Sequence, residues 1–172
     1  RFPAAPDDVV AATRWLQAQA ASLNLDASRF AVGGDSAGGN LAAVVALALR
    51  DAGDAPALKF QLLIYPATDM RAVAPSHTSN GQGYLLTSDT IAYFRSHYLS
   101  PEDYADWRAS PLLHTNLAGL PPALVLTAGF DPLRDEGRQY ADALSAAGST
   151  AQYVCFERQI HGFITMGRVI DE

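Results

Sequence analysis

A cluster of small residues, Gly34-Asp35-Ser36-Ala37-Gly38-Gly39, stands between a short apolar run and a longer, almost wholly apolar one. Residues 29–34 (RFAVGG) predict a strand. Residues 40–51 predict a helix, with Gly53 just past its end as the stop signal. A chain that passes from strand to helix within one or two residues must fold back closely on itself, so the residues around the turn must be small. Gly34, Ala37, Gly38 and Gly39 meet that demand. A helix this apolar must also be buried, which requires a layered fold with a sheet beneath it.

The rest of the chain repeats the alternation. Residues 58–65 (LKFQLLIY), closed by Pro66, and residues 123–128 (ALVLTA) are continuous apolar runs, the pattern of parallel strands covered on both faces. Residues 152–156 predict a fourth strand. Over residues 7–21, Val9, Ala12, Leu16 and Ala20 recur at a helical spacing, predicting a surface helix capped by Asp7 or Asp8. Leu133, Gly137, Tyr140, Ala141 and Leu144 mark another helix face that ends at Gly148. Strands alternating with helices give an α/β fold with a mainly parallel sheet flanked by helices, and its sites are expected beyond the C-terminal ends of the strands. Residues 69–122 break the pattern: they are rich in Ser, Pro, Gly and Tyr and hold one plausible helix, 89–99, followed by Pro101. This segment reads as an insertion forming a lid or cap within a domain that takes up residues 1–172.

At 172 residues the chain is of single-domain length. Apolar residues are 49% and charged residues 17%, enough for a real core and too apolar for a disordered tail. The net charge is −6 without a Lys/Arg cluster, which excludes a nucleic-acid stripe and adsorption to an anionic membrane. The longest unbroken apolar run, 41–49, is about half of a membrane span, so no stable membrane insertion is expected. A single cysteine, Cys155, excludes a disulfide within the chain and fits a reducing compartment, so a cytoplasmic location is expected. Its neighbours Tyr153, Val154 and Phe156 predict a buried, inert thiol. An opening of Arg1-Phe2-Pro3 rather than methionine reads as a processed or partial polypeptide.

The small-residue turn has the spacing G-x-S-x-G. Set between a strand and a helix, it lifts the Ser36 hydroxyl above the sheet and aims the Ala37 N–H at the place where an acyl oxygen would become negative. A serine needs a histidine to take its proton, and the histidine needs a carboxylate to hold its tautomer and stabilise its charged form. Asp131 follows the third predicted strand and His161 the fourth, giving the chain order Ser, Asp, His. His77, His97 and His114 fall in or beside the insertion, where surface or hydrogen-bonded roles suit them. Asp69 ends the second strand and is the rival acid, read instead as a turn or cap residue. Asp135 and Glu136 begin a helix, where the dipole favours carboxylates; fixing the Asp131 loop is the other reading. Asp35, Tyr84, Leu85 and Phe163 are candidates for substrate contact. Leu86, Phe94 and Tyr98 offer further apolar lining, unless these side chains form the lid's own small core.

Four motifs in order, Gly34 to Gly39, Tyr65-Pro66, Asp131-Pro132-Leu133-Arg134-Asp135-Glu136-Gly137 and His161-Gly162-Phe163, resemble the hormone-sensitive-lipase-like esterases of bacteria. The opening residues 1–8 are similar to the segment leading into the helix before that family's elbow strand. The resemblance implies an α/β-hydrolase fold acting on small-molecule carboxylic esters through Ser36, Asp131 and His161, with no metal and no organic cofactor. That family also carries a His-Gly-Gly-Gly loop upstream of the serine that completes the oxyanion hole, and this chain has none. Only the last four strands and part of the cap are expected here, with the closing helix cut short at Glu172. Losing one oxyanion donor costs about a hundred- to a thousandfold in turnover, so the chain alone is expected to be impaired. The elbow strand would expose an apolar edge, predicting cover by the missing N-terminal half or by another copy of the chain. Two other readings stand beside the esterase. One is a non-catalytic small-molecule-binding protein on a hydrolase fold, as in the plant gibberellin receptors that resemble this family but lack the histidine; the other is an inactive, self-associating fragment.

Overall fold

The computed structural model describes residues 1–55 and 57–170. Its four strands are β1 (Ala31–Asp35), β2 (Phe60–Ile64), β3 (Ala123–Phe130) and β4 (Ala151–Ile160). They form one parallel sheet whose spatial order is the order of the sequence. Helix α2 (Ala37–Ala52) joins β1 to β2, and α5 (Arg134–Ala146) joins β3 to β4. Between β2 and β3 lie the short α3 (Ser76–Ser79) and α4 (Ser88–Tyr98); α1 (Ala4–Ala18) precedes the sheet and packs on α2.

Crossovers between parallel strands are right-handed, so a sheet that adds every strand on the same side carries all its crossovers on one face. The core follows from this. Ala43, Leu47, Leu63, Val125, Tyr140 and Leu144, from both crossover helices and the two central strands, are fully buried in one cluster. Leu117 and Leu120, from the segment before β3, join them.

The apolar runs predicted strands covered on both faces, and here the structure differs. Along β2 and β3 the alternate residues Phe60, Leu62, Leu124 and Leu126 are half-buried among the described residues, because both crossover helices, α2 and α5, lie on the opposite face. In β1, Ala31, Gly33 and Asp35 are exposed, and β1 is a sheet edge with no partner on its outer side among the described residues.

Other departures are local. α1 starts at Ala4, three residues early; Pro3 is its cap, without a side-chain bond, and Asp7 lies in the first turn. β4 runs four residues beyond its predicted end, to Ile160, because a register shift near Gly129 lets the pairing resume at Phe130 with Ile160. A Cβ on Gly129 would overlap the backbone of Glu157, so only glycine lets the strands come this close. Cys155, expected to be buried, is half-buried because β4 is the other edge strand. No helix among the described residues is long and apolar enough to cross a membrane.

Candidate active site

Ser36 stands between β1 and α2 with φ 55° and ψ −117°, a strained backbone for a non-glycine residue. Its N–H continues the sheet by donating to the Ile64 carbonyl at 2.8 Å, so the strand ladder forces the turn. Gly34 is required, since a Cβ there would overlap the backbone of Gly38. Gly39 is tightly packed too, since a Cβ would lie 3.0 Å from Pro66 and 3.1 Å from the Gly34 carbonyl. Gly38, expected to share this role, faces open space. Just inside α2, the buried Asn40 amide donates to the carbonyls of Ala67 and Ala109, both at 2.7 Å, tying the elbow helix to the loops around it. Ala37 opens the helix, where an N–H has no intrahelical acceptor and lies at the positive end of the dipole.

Asp131 and His161 are the first residues past β3 and β4, so the parallel sheet brings both to the edge where β1 delivers Ser36. His161 Nε2 is 2.9 Å from Ser36 Oγ, and its Nδ1 is 2.7 Å from Asp131 Oδ2. Asp131 has no exposed surface, and its other oxygen accepts the Leu133 N–H at 2.8 Å. Gly162, at φ 87°, makes the left-handed turn that folds the chain back behind the imidazole.

One participant went unassigned in the sequence. Tyr65, also at positive φ (34°) and 1% exposed, lays its ring 4.5 Å from that of His161 and 5.6 Å from that of Phe163. Its hydroxyl lies 3.5 Å from Asp35, a long contact, and burial followed by the Asp35 charge pushes the phenol up to about 12. An aromatic residue ending a strand on the edge that carries Ser36, Asp131 and His161 was the available signal.

The remaining candidates separate clearly. Asp35 is exposed at the end of β1, while Phe163 packs between Tyr65 and Phe156. Tyr84 stacks on Phe130 at 5.0 Å, and Leu85 is 60% exposed with its methyl beside Gly162, on the flank of the His161 loop. Phe94 and Tyr98 lie elsewhere: Phe94 is exposed beside Tyr93, and Tyr98 meets Phe2 edge-on. Asp69 is buried and pairs with Arg71 at 2.7 Å while accepting the Arg71 N–H, a turn role. His97 bonds the Tyr93 carbonyl, and His114 bridges Asp51 and the Asn116 carbonyl.

Glu136 does lie in the first turn of α5, and the structure gives it closer partners as well. Its carboxylate is 1% exposed, accepts the N–H groups of Thr68 and Asp69, and sits 2.6 Å from His77 Nε2. It fills a buried junction between β2, the insertion and α5.

The family described as "alpha/beta hydrolase fold" matches residues 1–165. An ethyl acetate hydrolase of Pseudomonas putida is 43% identical over all of this chain and 54% of its own length. The carboxylic ester hydrolase LipN of Mycobacterium tuberculosis is 46% identical over 95% of this chain and 45% of its own. Among solved structures, a thermophilic carboxylesterase cloned from a metagenomic library superimposes with a TM-score of 0.95 at 44% identity, covering 99% of this chain and 59% of the other. This chain thus spans about half the length of the relatives it matches.

Proposed function

We propose, from the premise that this chain belongs to the alpha/beta hydrolase fold family and within it to the hormone-sensitive-lipase-like esterases, that the protein it represents hydrolyses carboxylic esters through Ser36, His161 and Asp131. The observation that carries this reading is the unbroken hydrogen-bonded line from Ser36 Oγ through the imidazole to a buried carboxylate.

Ser36 Oγ attacks the acyl carbon as its proton passes to His161 Nε2. The negative oxygen of the tetrahedral intermediate lies at the N-terminus of α2, where the Ala37 N–H donates to it; a second donor comes from the part of the relatives that this chain does not span. His161 then gives its proton to the departing alcohol, leaving an acyl-serine, and water repeats the sequence with the same base to release the acid. Asp131 keeps the Nδ1 proton in place and balances the imidazolium that forms.

Residues 69–122 act as part of a lid over the acyl group; its Tyr84 and Leu85, with Phe163 from the His161 loop, form the apolar wall of the pocket, and Asp35 at the end of β1 lies at the rim. The name of the Pseudomonas putida relative points to small esters, so p-nitrophenyl acetate is the first substrate to try. In the intact protein, Ser36→Ala is expected to lower kcat by about a millionfold, the size of the loss when a serine protease is stripped of its nucleophile. A fluorophosphonate is expected to label the wild type at Ser36. Normal turnover by Ser36→Ala defeats the assignment, and an unlabelled Ser36 favours a non-catalytic binding protein.

A further inference from the structure

Resting on that esterase reading, we infer that His77 and Glu136 are positioning residues for Asp131: their hydrogen bond clamps α3 against the loop that carries the acid, and the clamp sets where Asp131 meets His161.

Four residues of helix have no stability of their own, so α3 stays where its side chains fasten it. It is fastened to the Asp131 loop on both sides. Ser76 Oγ donates to the Pro132 carbonyl at 2.6 Å, and the Ser76 N–H donates to the Asp135 carboxylate at 2.9 Å. The Asp135 N–H returns a bond to Ser76 Oγ at 3.1 Å. At the other end of α3, the Asn80 amide donates to the carbonyls of Gly129 and Asp131, both at 3.2 Å. The backbone before, at and after the catalytic carboxylate is therefore held by one turn of the insertion.

The His77–Glu136 contact anchors that turn. Glu136 Oε1 accepts from Thr68 at 2.7 Å and Asp69 at 3.2 Å, and Thr68 Oγ1 donates to the Glu136 carbonyl at 2.8 Å, so α5 is pinned to the end of β2. Oε2 then reaches His77 at 2.6 Å and brings α3 into the same junction. One shared proton preserves this bond whether it sits on the carboxyl or on the imidazole. Burial favours the neutral carboxyl, against the pull of the His77 and amide bonds. From His77 the network runs outward: Ser88 Oγ donates to the His77 carbonyl at 2.8 Å, and the Ser88 N–H to the Gly81 carbonyl at 2.9 Å. That brackets the segment leading to Tyr84 and Leu85. These bonds use backbone carbonyls, which His77→Leu retains.

The experiment separates positioning from general stability. In the intact protein His77→Leu keeps the volume and removes the bond. Glu136→Gln keeps the shape, the two amide bonds and a donor toward His77. Fluorophosphonate titration counts competent Ser36, and kcat for p-nitrophenyl acetate is expressed per titrated serine. His77→Leu is expected to lower that kcat about tenfold to a hundredfold, the cost of displacing a catalytic group by around an ångström, with KM changed less than about twofold. Glu136→Gln is expected to stay within about threefold of wild type. Should His77→Leu fold poorly, Ser76→Ala, which drops the bonds of Oγ to the Pro132 carbonyl and the Asp135 N–H and so loosens the same turn from the Asp131 loop, carries the same expectation. An unchanged kcat per serine, a rise in KM alone, or a Glu136→Gln variant as impaired as His77→Leu overturns the inference while the esterase reading stands. A wild type with no ester turnover and no label at Ser36 overturns both.

Discussion

Asp131→Asn tests the proposed relay at its most determinate point, because the structure dictates how the new side chain must sit. One carboxylate oxygen of Asp131 accepts the Leu133 N–H at 2.8 Å and the other faces His161 Nδ1 at 2.7 Å. A backbone N–H can only donate, so the amide oxygen of the introduced asparagine must turn to Leu133 and its NH2 must face the imidazole. Nδ1 becomes an acceptor, the ring proton moves to Nε2, and that proton then points at Ser36 Oγ, where a lone pair is needed. The base is lost with the geometry intact. The same change of tautomer in a serine protease costs about 10⁴ in kcat, which at 1.36 kcal/mol per decade is about 5.4 kcal/mol of transition-state stabilisation. The assay is p-nitrophenyl acetate turnover by the intact protein, with thermal unfolding run alongside to show that the variant is folded. Retention of more than about a tenth of wild-type kcat would refute the reasoning.

Two further expectations concern stability. Leu144 is fully buried between α5 and the sheet, so Leu144→Ala is expected to cost about 3 kcal/mol, read from the urea midpoint of the intact protein; a loss below about 1 kcal/mol would mean that the helix does not pack here as described. Burial raises the Glu136 carboxyl above its unfolded value, so the folded protein holds that proton more tightly, and the resulting stability is complete below the usual glutamate range near about 4.3 and lost as pH rises through the folded value. The stability of wild type relative to Glu136→Gln should therefore fall with rising pH, and a difference that grows with pH contradicts this account of the buried junction.

The strands and helices were legible because each apolar run ends at a residue with a backbone meaning. Gly53 at φ 68° and Gly148 at φ 82° stop α2 and α5 where expected. The chain order of Ser36, Asp131 and His161 was legible for a related reason: in a parallel sheet, residues just past the strands share an edge whatever their separation along the chain. Periodicity could not reveal which sheet face is covered, since that depends on the order of strands in space. The same blindness hid Tyr65, whose ring turns toward His161 from an otherwise ordinary apolar run. It also hid the partners of Glu136, Thr68 and His77, which lie 68 and 59 residues away. Such buried polar junctions join positions whose residue types alone carry no sign of each other.

The coincidence of spatial and sequential strand order has a temporal consequence. A ribosome delivers residues in that same order, so the neighbour of each strand of this sheet has already been synthesised when that strand emerges. On the proposed function, Ser36 is made long before its base, because position 161 follows the last strand of the sheet. Nascent chains interrupted just before that residue hold the serine and the acid but no base, so on that proposal chemical competence arrives in one step rather than accumulating along the way.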